Sequence, residues 1–164
     1  GAFYAIVDAE QLKLSLDPSG VSRLIEAGMQ IKRSVMNKQM ITHPFEPDLS
    51  FLYGCIFTGK PQKPSSDSRN VCIFANGEVD RSATGSGVSA RAALYHARGE
   101  LKPGELMVIE SILGTTMDVE VVDITSFGPH DAVVPKVSGT AFFTGNNDFW
   151  FDPKDPLKEG YIIR

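Results

Sequence analysis

Residues 79–90 read Val-Asp-Arg-Ser-Ala-Thr-Gly-Ser-Gly-Val-Ser-Ala. They set a carboxylate, Asp80, ahead of a hydroxyl, Thr84, and then a glycine-punctuated start to an alanine-rich helix. The first N–H groups of a helix have no intrahelical partner and lie at the positive end of its dipole, so Thr84 to Gly87 can receive an anion. A ligand carrying both an amine and a carboxylate would suit such a loop. Spacing alone favours a simpler account, because Asp, Ser and Thr before a helix are ordinary caps and glycines in turns usually serve backbone geometry. Nucleotide readings fail on specifics: no Lys follows the glycines, and Gly-Ser-Gly-Val-Ser-Ala lacks the third glycine of a dinucleotide fingerprint. A small anion, above all a carboxylate, is what remains.

Those residues need elements to hold them. Residues 2–8 and 11–16 are β-like, and Asp17-Pro18-Ser19-Gly20 breaks that pattern with turn and cap chemistry. The spacing of Val21, Leu24, Ile25, Gly28, Ile31, Val35 and Met36 then predicts a helix with a core-facing stripe. After the turn His43-Pro44-Phe45-Glu46-Pro47-Asp48, Leu49, Phe51, Tyr53, Cys55 and Phe57 alternate as one face of a strand. Residues 59–69 form a polar loop expected to be exposed and mobile. Asn70 to Phe74 returns to strand chemistry and brings Phe74 near the Asp80 loop, which opens a second, central and largely buried helix over about residues 84–99. Strands are expected over 106–113, 117–124, 132–137, 140–144 and 149–151, with a short last strand over Tyr161 to Arg164 that pairs at an edge or crosses to a partner. Few helices among many strands predict an α+β domain.

At 164 residues and 42% hydrophobic, the chain suffices for one domain with a real core. A formal charge of -4 without a basic stripe argues against a nucleic-acid partner. No apolar run reaches the roughly 20 residues of a membrane helix, and the first residues lack a signal peptide's charged start, so a soluble, cytoplasmic protein is expected. Cys55 and Cys72 sit in apolar alternating stretches and are expected to be free, buried thiols in a reducing compartment. His43, His96 and His130 are isolated from one another, so a structural role is expected for each and a metal site has little support. Gly1 leads at once into what looks like the interior of a fold, which reads as a fragment.

The run Asp80-Arg81-Ser82-Ala83-Thr84-Gly85-Ser86-Gly87-Val88-Ser89-Ala90-Arg91 resembles the second active-site motif of the proline racemase family. There the motif usually runs Asp-Arg-Ser-Pro, then Cys or Thr, then Gly-Thr-Gly or Gly-Ser-Gly, before a helix. Thr84 in place of Cys is similar to the trans-3-hydroxy-L-proline dehydratase branch, and Ala83 departs from the usual Pro, which bears on the loop's rigidity. Supporting matches lie at Gly1-Ala2-Phe3-Tyr4-Ala5, His43-Pro44, Asp48-Leu49, Phe51-Leu52-Tyr53-Gly54, Val137-Ser138-Gly139 and Thr144-Gly145, so the likeness covers nearly the whole chain.

The resemblance implies a strand-rich, barrel-like domain around a central helix, one half of a two-lobed diaminopimelate-epimerase-like fold with the active site between lobes. This chain resembles the second lobe, with residues 153–164 reaching toward the first. It implies that Asp80 holds the ring nitrogen of a proline derivative, that Gly85 and Ser86 hold its carboxylate through backbone N–H groups, that Phe74 walls the pocket, and that Thr84 stands where racemases place a second Cys. The principal base, a Cys followed by Gly-His, belongs to the first half; Cys55 and Cys72 are each followed by Ile and do not inherit that role. No cofactor or metal is called for, and a homodimer stays open. Three functions follow: a dehydratase, a proline or hydroxyproline racemase or epimerase, and, for the isolated chain, a non-catalytic carboxylate-binding module.

Overall fold

A computed structural model describes residues 2–163; Gly1 and Arg164, and with them the ends of the first supporting match and of the expected last strand, lie outside the described residues. The sheet runs in the order β1 (Phe3–Asp8), β2 (Leu52–Gly59), β3 (Ser68–Phe74), β5 (Leu106–Glu110), β6 (Thr116–Phe127), β7 (His130–Ser138), with the short β4 (Glu78–Val79) also paired to β3. β1 is parallel to β2 and β3 to β5, while the other pairs are antiparallel.

Two helices cover opposite faces. α1 (Val21–Lys38) buries Leu24 and Gly28 against a cluster holding Cys55, Phe57, Val71 and Ile73. A Cβ at Gly28 would sit 2.8 Å from Ile73 Cβ, so glycine there sets how closely helix and sheet approach. α2 (Gly85–Ala97) packs Val88 and Ala92 with Leu101, Met107, Ile109, Val119 and Val121 on the other face. Because both faces are covered, β2 and β3 are buried almost throughout instead of alternating between a buried and an exposed face as the sequence pattern predicts for β2. The sheet curls partway around α2, and the His43 ring bridges its ends, edge-on to Phe3 at 6.3 Å and to Phe127 at 5.5 Å.

Several expectations need correction. Residues 11–16 are not a strand: Asp8 accepts from the Glu10 N–H at 3.0 Å, opening the 3-10 turn Ala9–Leu12, and Lys13 takes a left-handed φ of 52°. This turn redirects the chain so that Leu16 enters the core. The polar loop is mostly exposed as expected, but it is tied down. The buried Glu110 carboxylate accepts from the N–H groups of Gln62 at 2.6 Å and Lys63 at 3.2 Å, and Asp67 and Val108 exchange two further bonds.

The strands expected at 140–144 and 149–151, and the described part of the one expected at 161–164, do not form: residues 139–163 hold no helix or strand. Phe142, Phe143, Phe149, Trp150, Tyr161 and Ile162 are all at least 70% exposed. A strand requires a neighbour for its N–H and C=O groups, and these segments, with strand-like composition, meet none.

Candidate active site

β3 divides its edge. Its first residues pair with β5 through Ser68 and Arg69, and its last with β4 through Ile73 and Phe74. The chain leaves β4 at this fork, Asp80 N–H donating to the Cys72 carbonyl at 3.2 Å, and residues 80–84 climb onto the face of the sheet where α2 begins.

The loop organises itself around Asp80. One carboxylate oxygen accepts from the Ser82 N–H at 2.8 Å, the other from the Thr84 hydroxyl at 2.9 Å, and the Ser82 hydroxyl accepts from the Thr84 N–H at 3.0 Å. Thr84 carries φ 69° and ψ 102°, a left-handed backbone that a β-branched residue rarely adopts and that costs of order 1–3 kcal/mol. Its carbonyl takes the first helical bond, from Val88 N–H at 2.8 Å, while its side chain makes no cap. The hydroxyl therefore serves Asp80, and the N–H groups of Gly85, Ser86 and Gly87, in the first turn of α2, have no helical acceptor.

The two glycines differ in kind. A Cβ at Gly85 would meet nothing within 4 Å, so the space beside this residue is open, whereas one at Gly87 would lie 2.7 Å from Ile56 Cδ1 and 3.2 Å from Thr84 Cβ. Gly85 thus leaves the cradle unobstructed and Gly87 lets the helix start seat against the sheet. An anion here meets N–H donors and the helix dipole, with the Asp80 carboxylate alongside for a cation. The large cleft of about 880 Å³ lined by residues such as Asp8, Lys13, Arg69 and Arg98 lies away from this loop. The cradle is an open face.

All five expected residues fall in this neighbourhood. Asp80, Thr84, Gly85 and Ser86 share the loop, and Phe74 stacks on Tyr53 with centroids 5.7 Å apart. Tyr53 in turn meets Tyr4 edge-on at 5.7 Å, and the Tyr4 hydroxyl is bonded to Ser86 Oγ at 2.7 Å. Burial raises the Tyr4 pKa, so the hydroxyl stays protonated at neutral pH. Neither Tyr4 nor Tyr53 stands out as a site residue in the sequence; alternation in β1 places Tyr4 on the face opposite Ala5 and Val7 but does not reveal its contact with Ser86.

Cys72 lies beneath the loop. Burial pushes its thiol up to about 11, with the hydrogen bond to Thr84 opposing the rise and the Asp80 carboxylate adding to it; burial pushes Cys55 up to about 12. Both are free and buried, as expected, and neither is a thiolate at neutral pH. His43 is held structurally, its Nδ1 accepting from the N–H groups of Phe45 at 3.3 Å and Glu46 at 2.9 Å. Among the described residues no group of His, Cys, Asp and Glu is arranged to hold a metal, and no helix is long and apolar enough to cross a membrane.

The family profile described as Proline racemase matches residues 1–162. The chain belongs to the proline racemase family. It is 45% identical over 164 residues to a trans-3-hydroxy-L-proline dehydratase of Colwellia psychrerythraea, covering 100% of this chain and 46% of that protein. It is 42% identical to a proline racemase of Clostridioides difficile, covering 100% and 49% respectively. Its fold is similar to the crystal structure of a hydroxyproline epimerase from Agrobacterium vitis with bound trans-4-hydroxy-L-proline, with a TM-score of 0.87 and 35% identity over 99% of this chain and 46% of that one. The chain thus spans about half the length of these relatives. Its mixed sheet around a helix is one half of the two-lobed epimerase-like fold. The relatives are enzymes of three kinds, a dehydratase, a racemase and an epimerase.

Proposed function

We propose that the full-length protein is a cofactor-independent trans-3-hydroxy-L-proline dehydratase, and that this chain is its second lobe. The observation that carries the reading is Thr84, a hydroxyl bonded to Asp80 where a racemase would present its second thiol. In this proposal the Asp80 carboxylate holds the ring ammonium, the N–H groups of Gly85 and Ser86 hold the carboxylate, and Phe74 walls the ring.

The α-proton of an amino acid is weakly acidic, so its removal needs a base on one face and preorganised donors where charge develops at the carboxylate. A base from the first lobe takes that proton, the electron pair forms the C2=C3 double bond, and the C3–O bond breaks; in the trans isomer C2–H and the 3-hydroxyl share a ring face, so the protonated base returns its proton to the departing hydroxyl, which leaves as water. The enamine then tautomerises to a pyrroline-2-carboxylate. Thr84, on the opposite face of the ring, keeps its hydroxyl on the Asp80 carboxylate that engages the ring ammonium. Its own pKa is far too high for it to act as a second base. Cys72 cannot replace it, since its buried thiol stays protonated to about pH 11.

A racemase or epimerase reading has one supporting observation, the comparable identity to a proline racemase, 42% against 45% for the dehydratase. Against it, inversion calls for an acid of thiol-like pKa on each face. We also propose that residues 153–164 cross to the first lobe, which accounts for the exposure of Tyr161, Ile162 and Ile163. The deciding experiment incubates full-length protein with trans-3-hydroxy-L-proline and follows ketimine formation. Turnover is expected; no product from a folded enzyme carrying the first-lobe Cys-Gly-His would refute the reading.

A further inference from the structure

We propose that Arg91 and Asn70 form a positioning relay that locks the Ala83–Thr84 peptide and so fixes the direction of the Gly85 and Ser86 N–H groups; the inference rests on reading those groups as a carboxylate cradle. Arg91 is 1% exposed within the alanine-rich helix, and among the described residues no carboxylate lies within ion-pair distance of it. A buried guanidinium without a counter-charge is expensive, so the partners it does have are informative. Nη1 donates to Asn70 Oδ1 at 2.8 Å. Nη2 donates to the Tyr95 hydroxyl, and the guanidinium carbon lies 4.9 Å from the centre of the same ring. Nε has no partner.

Arginine can only donate, so it compels the Asn70 amide to turn its oxygen toward α2 and its NH2 the other way. That NH2 donates to the Ala83 carbonyl at 3.1 Å, and Asn70 itself is fully buried. The bond falls on a critical peptide. Rotating the plane between Ala83 and Thr84 changes ψ of Ala83 and φ of Thr84, and φ of Thr84 is the strained angle, at 69°. A rotation that relieved the strain would carry the Ala83 carbonyl away from Asn70 and redirect the start of α2. With Ala at 83 no pyrrolidine ring helps to stiffen the loop, so the restraint on the core side comes from Asn70.

The test uses full-length enzyme carrying Asn70→Asp. Aspartate is nearly isosteric, still accepts from Arg91 and gives it a counter-charge, but it opposes an acceptor to the Ala83 carbonyl. Amide hydrogen exchange at Thr84–Gly87 is expected to quicken about tenfold while β2 keeps its protection, and the preference for proline over prolinamide in calorimetry to narrow about tenfold. A fold defect without positioning would weaken both ligands alike. Unchanged exchange and unchanged preference would overturn the relay. If the wild-type enzyme neither binds nor turns over proline derivatives, the functional reading fails, and the exchange comparison still decides the relay. Should Asn70→Asp not fold, Tyr95→Phe removes one acceptor of Arg91 and keeps the ring; about threefold faster exchange at Thr84–Gly87 supports the relay and no change overturns it.

Discussion

The two faces of the sheet are built by the same strands and do different work. Toward α1, β3 presents Val71 and Ile73, which join Leu24, Cys55 and Phe57 in a closed apolar cluster. Toward α2 the same strand presents Asn70 and Cys72, and there the buried polar groups Thr84 and Arg91 gather beneath an open cradle. One face is complete within this chain; the other ends in unpaired N–H groups and an open space over Gly85. The alternation of a strand thus separates the groups that hold the lobe together from those that face the proposed site.

The two faces differ most sharply at Asp80. Replacing it by Asn keeps the shape and an acceptor for Thr84 but removes the charge, and kcat/KM of the full-length enzyme should fall about a thousandfold while the melting temperature moves little. Comparable loss of stability and activity together would mean that Asp80 is a framework residue. On the opposite face, Leu24→Ala empties a fully buried site and should cost about 3 kcal/mol in denaturant unfolding, with kcat/KM per folded molecule unchanged. A large change in turnover of the folded fraction would show that the two faces are not separable.

A further effect is alkaline. Folding raises the thiols of Cys55 and Cys72 from 9.0 to about 12 and about 11, so their contribution is intact below pH 9 and declines as pH rises through the folded values. Denaturation midpoints should fall above pH 9, and Cys72→Ala should flatten that slope. A midpoint indifferent to pH between 9 and 11 would contradict the burial of both thiols.

How much of this was legible in the sequence depended on the distance between partners. α1 and α2 were readable because apolar spacing is local, and Asp80, Thr84, Gly85 and Ser86 fell together because one short loop carries them. Tyr4 was not, since its bond reaches Ser86, 82 residues away. Nor was Arg91, whose partner Asn70 lies 21 residues back on a different element. The tail failed for a complementary reason: its aromatic runs have strand-like composition, but among the described residues they meet no pairing partner, so Phe142, Phe149 and Trp150 stay exposed.

In the proposed site a hydroxyl at Thr84 leaves a base on one face only. The most direct measurement incubates the full-length enzyme with L-proline in deuterated water, where no 3-hydroxyl can leave, and follows label and configuration at Cα together. Deuterium entering with retention, without D-proline, is the predicted result; deuterium entering with inversion would contradict the claim and make this a racemase.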